Sequence, residues 1–233
     1  MSITTEPFGH SRDHRERLPV SMHLAEPLTD SPEAADSAKR RQIMTGAREV
    51  FLAQGFDAAS MGEIARTAGV SKGTLYVYFD SKEQLFQAIT TEECSRQAEQ
   101  VFSLDPADRD VEAVLTRLGC AYFGLLSRPE AMPALRTVIS IAERMPEIGR
   151  KFYEAGPARG IATLCRYLES QVAAGILVVD DCELAAAQFL DSCQSTWFKQ
   201  LLFNFADPPS DTRVAQIVGA AVRTFMAAYR RRD

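Results

Sequence analysis

The chain has 233 residues, 46% of them hydrophobic and 24% charged, with a formal net charge of −5. That composition belongs to a globular protein of one large or two smaller domains, able to bury a core without disulfides or metals. Apolar stretches such as Ala185–Leu190 and Thr196–Phe205 are interrupted before the ~20 residues needed to span a bilayer. No basic segment followed by an apolar one marks a secretory leader, so a cytoplasmic protein with no membrane partner is expected.

An acidic balance argues against a nucleic-acid partner unless positive charge is concentrated locally. It is: across Lys39–Phe86 seven Lys/Arg stand against five Asp/Glu, making that segment +2 and the remainder −7. Residues 1–36 hold all three histidines, four prolines and seven acids against three arginines, and read as a disordered extension. A helix is expected from about Ala38, with Ile43, Ala47, Val50 and Phe51 on one face and Gly55 just past its end. A second opens at Ser60, where Ser60-x-x-Glu63 has the form of a capping box, and stops at Gly69. A brief third runs from Ser71 through Tyr78, and a long fourth starts at Asp80 or Ser81.

Beyond Asp105-Pro106 the spacing stays helical. Val111–Leu126, Met132–Arg144, Pro146–Ala155, Ala158–Ala174, Asp181–Phe203 and Ser210–Arg231 are separated by Pro129, Pro146, Gly156-Pro157, Gly175 and Pro208-Pro209. The one strand-like run, Ile176–Val179, is too short and isolated for a sheet. The fold class is all-α.

The stretch from Ser60 to Lys82 carries the chemistry. Two short helices around the turn Ala68-Gly69-Val70 have the proportions of a helix-turn-helix, and Gly69 allows a positive φ there. Ile64, Val70, Leu75 and Phe79 supply a small core with the first helix. Ser71, Lys72, Thr74, Tyr76 and Tyr78 place hydroxyls and an ammonium on a helix of two turns, where they can reach phosphates and base edges. Gly73 permits close backbone approach to a duplex. Lys82 and Ser60, each at a helix start, suit a phosphate, although a capping role alone explains Ser60.

The run from Arg40 to Phe86 resembles the DNA-binding domain of the TetR family of repressors. The landmarks are Ala47, Phe51, Gly55, Ile64, Ala65, the run Ala68–Tyr76, Tyr78-Phe79 and Ser81–Leu85. Tyr78 stands where relatives often have His. After the extension 1–36, the resemblance implies a helix-turn-helix DNA-binding domain, 37–84, and a ligand-binding and dimerisation domain, 85–233. It also implies phosphate contacts from Thr74, Tyr76 and Lys82, a homodimer on palindromic operator DNA, and release by an unknown small-molecule effector. Met132–Val179 is similar, more loosely, to AefR-like C-terminal domains, through Pro146-Glu147, Phe152-Tyr153, Gly156-Pro157 and Gly175.

In the last two helices Leu184, Ala187 and Leu190 form one stripe, and Val214, Ile217, Val218, Ala221 and Phe225 another. Both are expected at a four-helix dimer interface, the alternative being the protomer's own core. Tyr122, Phe123, Arg136, Phe152, Tyr153 and Trp197 mix aromatic and isolated polar groups in the middle helices and are candidate pocket residues.

No catalytic residue, cofactor or metal is assigned. Every histidine lies in the extension, the five cysteines show no metal-type spacing, and nucleotide-binding, zinc-hydrolase and nucleophile-elbow motifs are absent. A ligand-binding protein whose helix-turn-helix has lost DNA affinity is the alternative, and the intact Lys72–Tyr76 run argues against it.

Overall fold

Pro32 opens the first helix, α1 (Pro32–Ala58), since a missing N–H and a fixed φ suit a first helical turn. The structure, a computed structural model, describes residues 32–231. The expected disordered extension is therefore helical from Pro32 onward, and residues 1–31 lie outside the described residues. Apolar spacing could not announce this turn, because Glu33 to Ser37 are all exposed. Near the other end of α1 the helical path breaks at Gly55, with φ 79°.

The next three starts follow one device. Ser60, Ser71 and Ser81 each turn Oγ onto the N–H three residues ahead, at 3.2, 2.9 and 3.2 Å, opening α2 (Met61–Thr67), α3 (Lys72–Tyr78) and α4 (Lys82–Val101). The capping box is half-formed, because Glu63 accepts from Arg66 at 3.0 Å. Gly69 takes φ 65° in the turn. Ile43, Val50, Ile64, Leu75, Phe79, Leu85 and Ile89 close a small core among these helices.

The rest comprises α5 (Val111–Leu126), α6 (Ala131–Ala142), α7 (Pro146–Tyr153), α8 (Arg159–Ala173), α9 (Cys182–Cys193), α10 (Phe198–Leu202) and α11 (Asp211–Tyr229). No strand occurs among the described residues. The strand-like run forms one isolated bridge, Leu177 with Arg230, that ties the chain end to the α8–α9 loop. No helix there is long and apolar enough to cross a membrane.

Two expected boundaries differ. Gly156-Pro157 does not end a helix: a π-turn, Glu154–Ala158, joins α7 to α8. The wider turn accommodates a proline that lacks its N–H and would crowd the preceding turn of an α-helix. Conversely, Asp181–Phe203 is not one helix. It breaks at Thr196, whose φ of 74° is unusual for a β-branched residue. The break lets Trp197 sink against Phe123, with ring centroids 4.8 Å apart, while its indole N–H donates to the Cys193 carbonyl at 2.8 Å.

The main core joins α5, α8, α9 and α11. Helix α4 serves both cores, with Leu85 and Ile89 in the small one and Ala98 in the large one. A division after residue 84 therefore falls inside a single helix.

Candidate nucleic-acid interface

Helix α3 is held from behind and open in front. Leu75 and Phe79 are buried in the small core, while Ser71, Lys72, Gly73 and Tyr76 are exposed and Thr74 is half-buried. The Lys72 side chain lies across Gly62, where a Cβ would come within 2.9 Å of its Cε. Gly73 meets nothing closer than the Ser71 Oγ, so its backbone is accessible from outside. Val77 is 81% exposed on the same helix. Sequence reasoning missed it, because an isolated valine reads as core. An apolar side chain there can contact a thymine methyl.

The placement of α3 depends on its supports. Gly46 of α1 faces Ala68, and a methyl group on it would stand 2.6 Å from the Ala68 Cα. Gln42 donates to the Ala68 carbonyl at 2.7 Å, fixing the turn of the motif to α1.

Two expected DNA contacts are engaged internally. The Lys82 ammonium donates to the carbonyls of Phe56, Asp57 and Ala59 at 2.9, 3.0 and 3.2 Å, and sits over the Phe56 ring. Its three protons meet three acceptors where α1 ends, so it joins α1 to α4 and its ammonium is engaged within the protein. The Tyr78 hydroxyl donates to the Asp36 carboxylate at 2.7 Å, which also raises its pKa. The added start of α1 supplies that acceptor and ties the Tyr78 hydroxyl to α1 at the surface. Ser60 caps α2 and remains exposed.

Most of the stripe assigned to the dimer is core of the protomer. Leu190, Val214, Ile217, Val218, Ala221 and Phe225 are buried, Leu184 is exposed and Ala187 is half-buried. The reason is packing. Gly119 of α5 admits α11 so closely that a Cβ there would lie 2.7 Å from Val218. Each helix buries its most apolar stripe in its own protomer, leaving outward Gln188 of α9 and the small residues Ala220, Thr224 and Ala228 of α11, with Ser195 just past the end of α9. Several of these border a groove of about 440 Å³ between α9 and α11.

A larger cavity, about 720 Å³, lies between the helix-turn-helix and the rest. Of the candidate pocket residues, Tyr122, Phe152 and Tyr153 line this cavity, and Phe123, Arg136 and Trp197 lie outside it. Arg136 donates to the carbonyls of Leu201 and Leu202, both at 2.7 Å, and so caps α10. Phe123 and Trp197 pack on each other. Sequence reasoning missed Arg48 and Glu93, which pair at 3.0 Å on the cavity wall, and Gln194, which donates to the Tyr122 hydroxyl at 2.9 Å. Their partners lie 45 and 72 residues away, beyond any local pattern. Among the described residues no group of side chains could hold a metal ion.

Comparison with known proteins agrees with this architecture. Residues 43–89 match the family model of bacterial regulatory proteins of the tetR family, and residues 113–231 match that of AefR-like transcriptional repressor C-terminal domains. The HTH-type transcriptional repressor Rv1474c of Mycobacterium tuberculosis is 29% identical over 135 residues, which cover 56% of this chain and 65% of that repressor. A TetR-family regulator from Mesorhizobium loti superposes with a TM-score of 0.78 at 29% identity, over 84% of this chain and 98% of the other. The flavonoid-responsive regulator FrrA does so with a TM-score of 0.73 at 31% identity, over 84% of this chain and all of the other. These are transcription regulators rather than enzymes. The C-terminal match alone spans half the chain, and this protein belongs to the TetR family of transcriptional regulators, with an AefR-like C-terminal domain.

Proposed function

We propose that this regulator binds a palindromic operator as a homodimer and leaves it when a small-molecule effector fills the 720 Å³ cavity, acting as a cytoplasmic repressor. The observation that carries this reading is the open face of α3, where Ser71, Lys72, Gly73, Thr74, Tyr76 and Val77 stand together on a helix braced from behind. Lys72, Thr74 and Tyr76 hold phosphates, and Val77 meets a base edge. Residues 37–84 read DNA, residues 85–233 bind the effector and the partner protomer, and α4 runs across both. The small-residue face of α9 and α11 pairs with its symmetry mate, setting two α3 helices about one DNA turn (~34–36 Å) or a multiple apart. FrrA is named as flavonoid-responsive, which supports a small-molecule effector here.

The test is titration of the full chain against DNA from its own upstream region at several salt concentrations. Tight, steeply salt-dependent binding at one short palindrome is expected. Weak, sequence-blind binding would instead favour a ligand-binding protein without an operator. An effector must lower operator affinity by the factor by which DNA lowers effector affinity. Equal DNA affinity with and without it would remove the allosteric part.

A further inference from the structure

The charged side chains lining the large cavity, among the described residues, are Arg48, Glu93, Glu130 and Asp191. The one cation is already engaged, because Arg48 bonds Glu93 at 3.0 Å. An anionic ligand would find no unengaged cation and would face two further carboxylates.

Two titratable groups on different parts of the wall are held in their uncharged forms, first by burial and then by a nearby acidic group. Burial, and then the charge of Asp191, push the Tyr122 hydroxyl well above its ordinary pKa. Burial, and then Glu93, push the Cys94 thiol up to about 12. Each is a place where a negative charge is disfavoured, and a ligand's negative charge would meet the same penalty.

The neutral polar groups narrow the choice further. Thr90 and Thr137 donate to carbonyls of their own helices, and Gln97 donates to Glu93. The Tyr122 oxygen accepts from Gln194, which leaves its own proton for a ligand oxygen. Around this anchor the wall is aromatic. Phe51, Phe56 and Phe86 cluster with centroids 5.1 to 5.8 Å apart at the end next to the helix-turn-helix, and Phe102, Phe152 and Phe198 stand elsewhere on it.

We infer that the cavity selects aromatic ligands without negative charge, neutral or cationic, which present an oxygen acceptor to Tyr122, and excludes carboxylates and sulfonates of the same size. The inference rests on the reading of this cavity as the effector site.

The test uses the full chain and two fluorescent probes of one skeleton, N-phenylnaphthylamine and its sulfonated form, anilinonaphthalene sulfonate. The neutral probe is expected to bind about ten-fold more tightly or better. Asp191→Asn should narrow that gap. Tyr122→Phe should weaken Nile red, which carries a carbonyl, several-fold and leave N-phenylnaphthylamine unchanged. Ala187→Phe, which narrows the cavity, should remove binding of the neutral probe with the helical circular dichroism retained. Should that variant not fold, the Tyr122→Phe contrast still locates the site.

Equal affinity for the two skeleton-matched probes would overturn the charge selectivity and leave the cavity as an effector site. Equal effects of Tyr122→Phe on Nile red and N-phenylnaphthylamine would remove the acceptor anchor. No binding of any probe would overturn the effector reading itself.

Discussion

Lys72 and Lys82 look alike in sequence, each directly after a capping serine at the start of a helix, but the structure gives them opposite roles. Lys72 is exposed on α3, whereas Lys82 donates to three carbonyls where α1 ends. Lys72→Ala is therefore expected to weaken binding to all DNA sequences alike and to flatten the salt dependence by about one unit of slope, without changing the urea midpoint. Lys82→Ala should instead cost roughly 2 kcal/mol of folding stability, because charge-assisted hydrogen bonds to a helix end are lost. An unchanged urea midpoint for Lys82→Ala would count against this bracing role. Among the cysteines, burial pushes the Cys94 and Cys193 thiols up to about 12, while Cys120 is exposed. Cys120 should react first with a thiol reagent at pH 8, and rapid modification of Cys94 or Cys193 in the folded protein would contradict the described packing.

At the scale of elements, helix starts were more legible than helix ends and breaks. Ser60, Ser71 and Ser81 act within three residues of themselves, so sequence displays both halves of the contact. The start of α1 was not legible, since Glu33 to Ser37 are exposed and it is held to α3 by Asp36 and Tyr78, 42 residues apart. The π-turn and the Thr196 break respond to packing from elsewhere in the chain. Two glycines separate the structural from the functional demand. Gly46→Ala drives a methyl group against the Ala68 backbone and should lower stability by about 1–3 kcal/mol in urea denaturation. Gly73→Ala meets only open space and the Ser71 hydroxyl. It should hold or slightly raise stability, as Gly costs a helix about 0.5–1 kcal/mol, yet weaken operator binding. If Gly73→Ala bound operator like wild type, close backbone approach at that residue would be ruled out.

For the whole molecule, the contact between the two functional parts runs beside the cavity. Burial alone would raise the Glu93 pKa, but hydrogen bonds from Arg96 and Gln97 and the charge of Arg48 outweigh it and hold the carboxyl below its usual value. A depressed carboxylate pKa stabilises the fold at neutral pH, and that contribution is lost as pH falls through about 4.5, the ordinary glutamate value, and on through the lower folded value. Urea midpoints at pH 7 and pH 4 should therefore differ more for wild type than for Glu93→Gln. Identical pH dependence in the two proteins would mean that the pair adds nothing to stability. Arg48→Gln should keep operator binding but reduce its response to a ligand in the cavity, because the tie from α1 to α4 that borders the cavity is weakened.

Sequence by itself determined the all-helical class, the helix-turn-helix and the family. These rest on signals within a few residues of one another: apolar periodicity, capping serines, a glycine that can take positive φ, and a run of fixed spacing from Ala68 to Tyr76. Tertiary structure decided which polar groups remain available and which apolar stripes stay within the protomer. Lys82, Tyr78 and Arg136 find acceptors 23 to 66 residues away, and α11 turns its most apolar stripe onto α5 and α9. A side chain's partner depends on which distant backbone is brought beside it, so only the folded chain distinguishes an exposed lysine from one that caps a helix.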